Sequence, residues 1–209
     1  MAKKELRTGF WYQLLDIVFN IAVIVAIVGG VRTFLVSPFQ VEGHSMVDTL
    51  EDREYIIINK LAYFVGIPKR GDIVVFRPPT DPSKYYVKRV IGEPGDQVII
   101  QGGYVYVKAK GEDKAVKLPE DYLADRNRGH TFRHPPQSGD GTKVTYDVPK
   151  DQYFVLGDNR QGSLDSRSFM DANGTPEPFV GRNDIKGRVW FVALPLSKVH
   201  AFETPAYGL

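Results

Sequence analysis

The 209-residue sequence contains no cysteine. The chain can therefore form neither a disulfide nor a thiolate metal site. A chain without thiols suits a compartment in which thiols are oxidised, although many cytosolic proteins also lack cysteine. Its four histidines show no metal-binding spacing; they are His44, His130, His134 and His200. We therefore expect neither a metal nor any other cofactor.

An excess of charge of either sign is also missing. The 27 Lys and Arg residues nearly balance the 25 Asp and Glu residues, which leaves a formal net charge of +2. A balanced chain has no long-range field to attract a polyanion. We therefore expect no nucleic-acid partner.

One long apolar run is present, over residues 11–36. About 20 apolar residues span the hydrocarbon core of a bilayer, so the run is long enough for a transmembrane helix. Lys3, Lys4 and Arg7 precede the run, whereas Arg32 is the only positive charge near its far end. This bias predicts a cytoplasmic amino terminus and a main domain outside the cytoplasm.

A cleaved signal peptide is the alternative interpretation of this run. The run is long for a signal peptide, and no Ala-x-Ala-like site precedes the bulky residues Phe34, Leu35 and Val36. We therefore expect an uncleaved, single-pass anchor. The predicted organisation is a cytoplasmic segment (1–10), a transmembrane anchor (11–36) and an extracytoplasmic domain (37–209).

Beyond the anchor, short apolar or alternating runs are separated by Gly, Pro and Asp, which is typical of β-strands. No long amphipathic helix pattern occurs there. The sequence therefore predicts an all-β domain. Strands are expected at residues 37–42, 53–60, 72–76, 86–91, 97–100, 104–107, 143–146, 152–156 and 188–194.

A polar part of this domain, at about residues 101–150, differs from the rest. Gly102 and Gly103 at its start lie between two apolar runs and predict a hairpin turn. The remainder is rich in charged residues, Gly and Pro. We interpret it as a peripheral insertion that projects from the domain and is partly mobile.

Three stretches in a fixed order carry candidate chemistry. Residues 43–50 contain Ser45, residues 85–96 contain Lys88, and the motif Gly157-Asp158-Asn159-Arg160 opens a polar stretch at residues 157–167. Together with residues 70–76, they resemble the bacterial type I signal peptidases, which are membrane-bound Ser–Lys peptidases. The resemblance extends from the anchor to about residue 196, apart from the insertion.

This resemblance implies a fold, an activity and a location. The fold is a domain of coiled antiparallel sheets behind one transmembrane helix. The activity is that of a serine endopeptidase that cleaves signal peptides from exported preproteins through an acyl-enzyme. The implied location is the bacterial cytoplasmic membrane, with the bilayer and the preproteins as partners. We expect a monomer.

Ser45 has two interpretations. Ser45-x-x-Asp48 resembles a capping box, so the serine could simply cap a turn. By resemblance, it is instead the nucleophile that attacks the scissile carbonyl. His44 is adjacent to Ser45, but neighbouring side chains on an extended backbone point apart. A Ser–His–Asp triad is therefore not favoured.

A serine hydroxyl needs a base, and by resemblance Lys88 is that base. A lysine must be neutral to accept a proton, and we expect burial among its apolar strand neighbours to lower its pKa. The alternative is an exposed lysine at a strand edge, which is the commoner situation. Strand alternation places Tyr86, Lys88 and Val90 on one face. We expect Arg89, on the other face, to be solvated.

The resemblance assigns supporting roles to the third stretch. Ser163 matches a serine that orients the lysine. Asp165 and Arg167 match a structural ion pair beside the site. Asp158 and Arg160 are expected to support the same loop.

Two positions depart from the family pattern. Gly43 stands where many Gram-negative members have a hydroxyl side chain that helps to bind the oxyanion, which leaves the backbone N–H of Ser45 as the expected donor. Asp48 stands where the family usually has proline. We expect its carboxylate to turn away from the oxyanion and cap the turn.

Two surfaces are candidates for contact with substrate and membrane. An exposed sheet edge near Phe39 and Val41 would accept an extended peptide as an added strand, and we expect these two residues to form pocket walls. Residues 63–68 are unusually apolar for a loop. They fit either core packing or contact with the membrane surface.

Two other functions stay open. One is a repressor-type Ser–Lys autoprotease, although that class carries a DNA-binding domain and no anchor. The other is an inactive, membrane-tethered β-domain that binds exported peptides without cutting them. Gly43 and Asp48 are the residues that favour this second alternative.

Overall fold

The computed structural model describes residues 2–132, 143–205 and 207. The chain starts with a long helix, α1 (Ala2–Gly30). Its apolar part, Gly9–Gly30, has 22 residues, none of them buried against the rest of the protein. At a rise of 1.5 Å per residue this part is about 33 Å long, close to the thickness of a bilayer core. A π-helical turn (Val31–Leu35) then leads directly into the first strand, so the helix ends before the predicted anchor does.

The all-β expectation for the remaining chain is confirmed. Each predicted strand is present, with bounds that differ by at most three residues. The strands are β1 (Val36–Gln40), β2 (Tyr55–Asn59), β3 (Ile73–Phe76), β4 (Tyr86–Gly92), β5 (Gln97–Gln101), β6 (Tyr104–Lys108), β7 (Val116–Lys117), β8 (Val144–Asp147), β9 (Gln152–Leu156), β10 (Val180–Gly181), β11 (Ile185–Leu194) and β12 (His200–Ala201). One short helix, α2 (Leu61–Val65), follows β2.

The strands form two antiparallel sheets. The larger has the order β1-β2-β11-β3-β4-β9-β10, with β12 paired to β11. The smaller has the order β7-β6-β5-β8. Strand β1 therefore lies at an edge of the larger sheet, whereas β4 lies inside it between β3 and β9. Consequently β4 is buried on both faces from Lys88 to Gly92.

The segment between β1 and β2 is fixed by its apolar residues. Val41, Met46 and Leu50 are at most 4% exposed and pack in one core cluster with residues of β2, β3 and β11. A short turn closes between them, because the N–H groups of Thr49 and Leu50 both donate to the carbonyl of Met46 at 2.8 Å. The part of this connection that contains the turn, residues 43–50, is called the serine loop below.

The described part of the predicted insertion contains a hairpin against which residues 118–132 pack. Gly102 and Gly103, with φ of +59° and +82°, form the predicted two-residue turn between β5 and β6. The carbonyl of Gly129 lies so close to Gly103 that a side chain there would collide with it. Residues 118–132 thus pack against the hairpin, and Leu123, Asn127 and Thr131 are at most 2% exposed. The rest of the insertion, including His134, lies outside the described residues at 133–142.

Candidate active site

Lys88 is a buried lysine beside a serine hydroxyl. It lies in the inner strand β4 and is 3% exposed. Its Nζ is 2.7 Å from Ser45 Oγ and donates a hydrogen bond of 2.9 Å to the carbonyl of Val87. The ring of Tyr86, on the same strand face, has its centroid 5.3 Å from Nζ. The structure therefore brings the predicted nucleophile and the predicted base within hydrogen-bond reach.

Burial lowers the pKa of Lys88 from 10.5 to about 8. The cause is the loss of hydration of the ammonium form, which outweighs the opposing fields of the Asp165 and Asp158 carboxylates. At pH 7 about one lysine in ten would then be neutral, against about one in a few thousand for free lysine. The site thus holds an amine that can accept a proton near neutral pH.

The expectation of a solvated Arg89 is wrong. Arg89 is 3% exposed, and its guanidinium forms a two-point ion pair with Asp158, with N–O distances of 3.0 and 2.7 Å. It also donates to the carbonyl of Gly71 and lies over the ring of Tyr122. The alternation is correct, but Asp158 and Tyr122 cover the face of β4 that is expected to be solvated.

Residues 157–167, called the clamp loop below, hold the serine loop in place. The N–H of Asn159 donates to the carbonyl of Ser45 at 3.0 Å, and its side-chain amide donates to the carbonyl of His44 at 2.9 Å. Thr49 Oγ1 donates to Asp158 at 2.5 Å. A Cβ at position 157 would lie 2.5 Å from the Ser45 carbonyl oxygen, so the close approach of the two loops requires Gly157.

The clamp loop is itself held by buried ion pairs. Asp165 pairs with Arg167, both of its oxygens accepting at 2.8 Å, and it also accepts from the N–H of Gly157. Burial alone would raise the pKa of Asp165, but these partners keep it below its usual value. Arg160, fully buried, donates to Glu120 at 2.5 Å and to Thr131 at 2.7 Å.

No hydrogen bond joins the Ser163 hydroxyl to Lys88. This hydroxyl is buried beside Gly157 and makes no hydrogen bond of good geometry, although its proximity to Asp165 helps to lower the pKa of that carboxyl. The bonds that orient Lys88 Nζ go to Ser45 and to the carbonyl of Val87 instead. An orienting role for Ser163 stays a prediction.

Gly43 adopts a conformation that suits glycine. Its φ is +89°, in the left-handed region that residues with a Cβ rarely occupy. Its N–H donates to Asp52 Oδ1 at 2.8 Å. The backbone thus disfavours any side chain at this position.

The capping expectation for Asp48 is wrong. Its carboxylate caps no N–H group of the turn: those of Thr49 and Leu50 donate to the Met46 carbonyl, and that of Glu51 donates to the Glu54 carboxylate. It points instead to Arg126, with 2.7 Å between Oδ1 and Nη2. The partner is 78 residues away in the chain, which no local pattern reveals.

A groove of about 520 Å³ opens at Ser45 and Lys88. Phe39 and Val41, the two predicted pocket walls, both line it, together with Tyr86 and Leu164. Phe39 packs edge-to-face against Tyr85 at a centroid distance of 5.2 Å. His44 also borders the groove, and its exposed ring forms no hydrogen bond to Ser45.

The sequence matches a known family along most of its length. A sequence model of the family described as signal peptidase, peptidase S26, matches residues 14–194. Signal peptidase I P from Bacillus subtilis subsp. natto is 34% identical over 187 residues, which cover 90% of this chain and 92% of that protein. Signal peptidase I from Bacillus amyloliquefaciens is 38% identical over 176 residues, or 84% of this chain and 82% of that protein.

A crystal structure of a signal peptidase I from Enterococcus faecalis V583 has 31% sequence identity and a TM-score of 0.42. It covers 58% of this chain and 95% of that one. The family match and the curated relatives together show that this chain belongs to the signal peptidase family S26.

Sequence reasoning missed three residues of the site. The sequence predicts a solvated Arg89, assigns no role to Asn159 within its motif, and places Arg126 in a peripheral insertion. The motif position of Asn159 was a usable signal, because every residue beside it was assigned a role. Arg126 had no such signal.

Proposed function

We propose that this chain is a membrane-bound serine endopeptidase that removes signal peptides from exported preproteins, with Ser45 as nucleophile and Lys88 as general base. The observation that carries the proposal is the buried Lys88 amine, 2.7 Å from Ser45 Oγ at the wall of an open groove. An amine with a pKa of about 8 is suited to this task near neutral pH.

Acylation follows from this geometry. Neutral Lys88 accepts the hydroxyl proton of Ser45 as Oγ attacks the scissile carbonyl carbon, and the carbonyl oxygen becomes an oxyanion beside the Ser45 N–H. The tetrahedral intermediate then collapses and the C–N bond breaks. The Lys88 ammonium gives its proton to the leaving amine, which is the new amino terminus of the mature protein. The signal peptide remains as an ester on Ser45.

Deacylation uses the same groups. Lys88, neutral again, takes a proton from a water molecule as the water oxygen attacks the ester carbon. The intermediate expels Ser45 Oγ, which recovers its proton from Lys88. The signal peptide leaves with a new carboxyl terminus, and the dyad returns to its starting state.

Strand β1 supports an extended mode of substrate binding. It lies at the edge of the larger sheet, and among the described strands it pairs with β2 alone. A peptide that adds to this edge would direct alternate side chains into the groove beside Phe39 and Val41. The half-buried Phe39 ring narrows the groove, which would favour small substrate side chains.

We further propose that the catalytic domain sits on the outer face of the cytoplasmic membrane and touches it through residues 63–67. Val36 pairs with Asn59, so α2 starts where the anchor ends. Phe64 and Val65 are each 87% exposed and Ile67 is 60% exposed, whereas Tyr63 and Pro68, at the two ends of the apolar stretch 63–68, are buried. Apolar side chains beside an anchored segment are well placed to enter the lipid interface.

Liposome binding of a chain without residues 1–35 would test this contact. Phe64→Ser should weaken binding, whereas Val116→Ser, a partly exposed valine of the smaller sheet, should not. Equal binding by the unaltered domain and Phe64→Ser would remove the membrane role of the loop.

The proposed activity is tested by cleavage of a preprotein with an Ala-x-Ala site in detergent. Wild type should release the mature product, and Ser45→Ala and Lys88→Ala should not. Lys117→Ala, at an exposed lysine of β7, is the matched control and should cut like wild type. Cutting that survives Lys88→Ala would refute the base assignment, and binding without cutting by wild type would favour the inactive peptide-binding domain.

A further inference from the structure

Arg126 reaches the serine loop from a distant part of the chain. Its guanidinium pairs with Asp48, three residues after Ser45, at 2.7 Å. The two side chains are 58% and 43% exposed. Surface pairs of this kind contribute little to stability, so a stabilising role alone does not account for its position next to the nucleophile.

The backbone that carries Arg126 is well fixed. The N–H of Asn127 donates to the carbonyl of Ala124 at 2.8 Å, and Asn127 is 1% exposed. The carbonyl of Arg126 accepts from the Gln161 side chain at 2.6 Å. Arg126 therefore presents its guanidinium from a segment that is anchored to the clamp loop.

Residues near both ends of the 120–132 segment also form hydrogen bonds with the clamp loop. Arg160 donates to Glu120 and to Thr131, and Arg167 donates to the carbonyl of Phe132 at 3.0 Å. Residues 120–132 thus contact the two loops that meet at Ser45. Arg126 is the member of this segment whose side chain reaches the serine loop.

We propose that Arg126 is a positioning residue that makes Asp48 compatible with catalysis; this role rests on the proposed function. A carboxylate three residues from the nucleophile opposes the negative charge that develops on the scissile carbonyl oxygen. Arg126 neutralises the negative charge of Asp48 and holds its carboxylate on the side of residues 120–132. Without Arg126, the side chain of Asp48 is free to rotate towards the oxyanion.

A double-mutant cycle separates this role from a merely structural one. Arg126→Ala should lower kcat about ten-fold and leave KM within about two-fold, because the interaction matters in the transition state. Asp48→Asn removes the charge and should stay within about three-fold of wild-type kcat. The double variant Asp48→Asn/Arg126→Ala should match Asp48→Asn. Arg126→Lys, which keeps the positive charge, should recover most of the loss.

The chain offers a matched control two residues further on. Arg128 pairs with Asp125 at 3.3 Å and donates to the carbonyl of Asp121, so it serves the same segment without touching the serine loop. Arg128→Ala should therefore cut like wild type. Thermal unfolding of all variants checks that each one is folded.

Two results would overturn the role of Arg126. One is wild-type kcat in Arg126→Ala. The other is a loss from Arg126→Ala that is equally large with and without Asp48→Asn, since Arg126 would then act on the segment and not on the carboxylate. Failure of wild type itself to cut the preprotein would instead refute the proposed function, and this role with it.

Discussion

The described part of the protein contains two kinds of buried cation: arginines that are paired with carboxylates, and one lysine that is not. Four arginines, called the arginine cluster below, each have a carboxylate oxygen within 3.0 Å; they are Arg70 with Asp96, Arg89 with Asp158, Arg160 with Glu120 and Arg167 with Asp165. Lys88 is equally buried, but among the described residues no carboxylate pairs with it. Its partners are a hydroxyl and a carbonyl.

The difference between them explains how one small domain supports both structure and chemistry. A buried cation with a carboxylate keeps its charge, as Arg89 does: burial would lower its pKa, but Asp158 more than offsets that effect. In a buried cation without a carboxylate partner, burial lowers the pKa and so favours the neutral form. Three of these arginines, Arg89, Arg160 and Arg167, hold the clamp loop, which in turn holds the serine loop. Lys88, which has no carboxylate partner among the described residues, is available as a base.

The largest expected effect comes from breaking a pair in the arginine cluster. Asp158→Ala leaves Arg89 charged and buried, which should cost about 3–5 kcal/mol of unfolding free energy. Chemical unfolding in detergent, followed by tryptophan fluorescence, measures it. Asp81→Ala, which breaks an exposed pair with Lys84, is the control and should have little effect. A loss no larger than that of the control would contradict the structural role of the cluster.

A somewhat smaller effect, of opposite sign, is expected at the unpaired cation. Lys88→Met should abolish activity yet raise the unfolding free energy at pH 7 by about 3 kcal/mol, since the pKa shift from 10.5 to about 8 measures the penalty for burying the charge. Between these two pKa values the unfolded chain binds more protons at residue 88, so wild type gains stability as pH rises. The advantage of Lys88→Met should therefore shrink from pH 8 upwards. Unfolding curves at pH 7 and at about pH 10 test this; a constant difference would contradict it.

The smallest effect concerns the link between the serine loop and Asp158, the carboxylate that pairs with Arg89. Thr49→Val removes the 2.5 Å hydrogen bond from the serine loop to Asp158. Loss of a hydrogen bond to a charged acceptor should cost about 1.5–3 kcal/mol, and kcat should fall with it. Thr145→Val, at an exposed threonine of β8, is the control for stability. Reduced stability with unchanged kcat would show that this hydrogen bond stabilises the fold without affecting the catalytic geometry.

Much of the larger sheet could be predicted because its strands are long enough to show a pattern. Residues 152–156 and 86–91 were placed correctly from apolar and alternating residues. The two-residue strands β7, β10 and β12 and the five-residue helix α2 are too short for any periodicity. Their position depends on tertiary packing.

Contacts between distant residues explain the errors at the site. Alternation correctly placed Lys88 and Arg89 on opposite faces of β4, but it contains no information on what covers each face. The sequence therefore could not reveal that Asp158 neutralises Arg89. In the same way the charge of Asp48 was evident, whereas its partner Arg126 depends on the packing of residues 118–132.

The central claim is that burial without a carboxylate makes Lys88 the base. The most direct test is the pH dependence of kcat/KM for preprotein cleavage from about pH 6 to about pH 10, for wild type and His44→Ala. Because only neutral lysine accepts the proton, kcat/KM should rise ten-fold per pH unit below the pKa and level off above about pH 8, identically in both proteins. A midpoint near 6.5 that disappears in His44→Ala would assign the base to histidine and contradict the account.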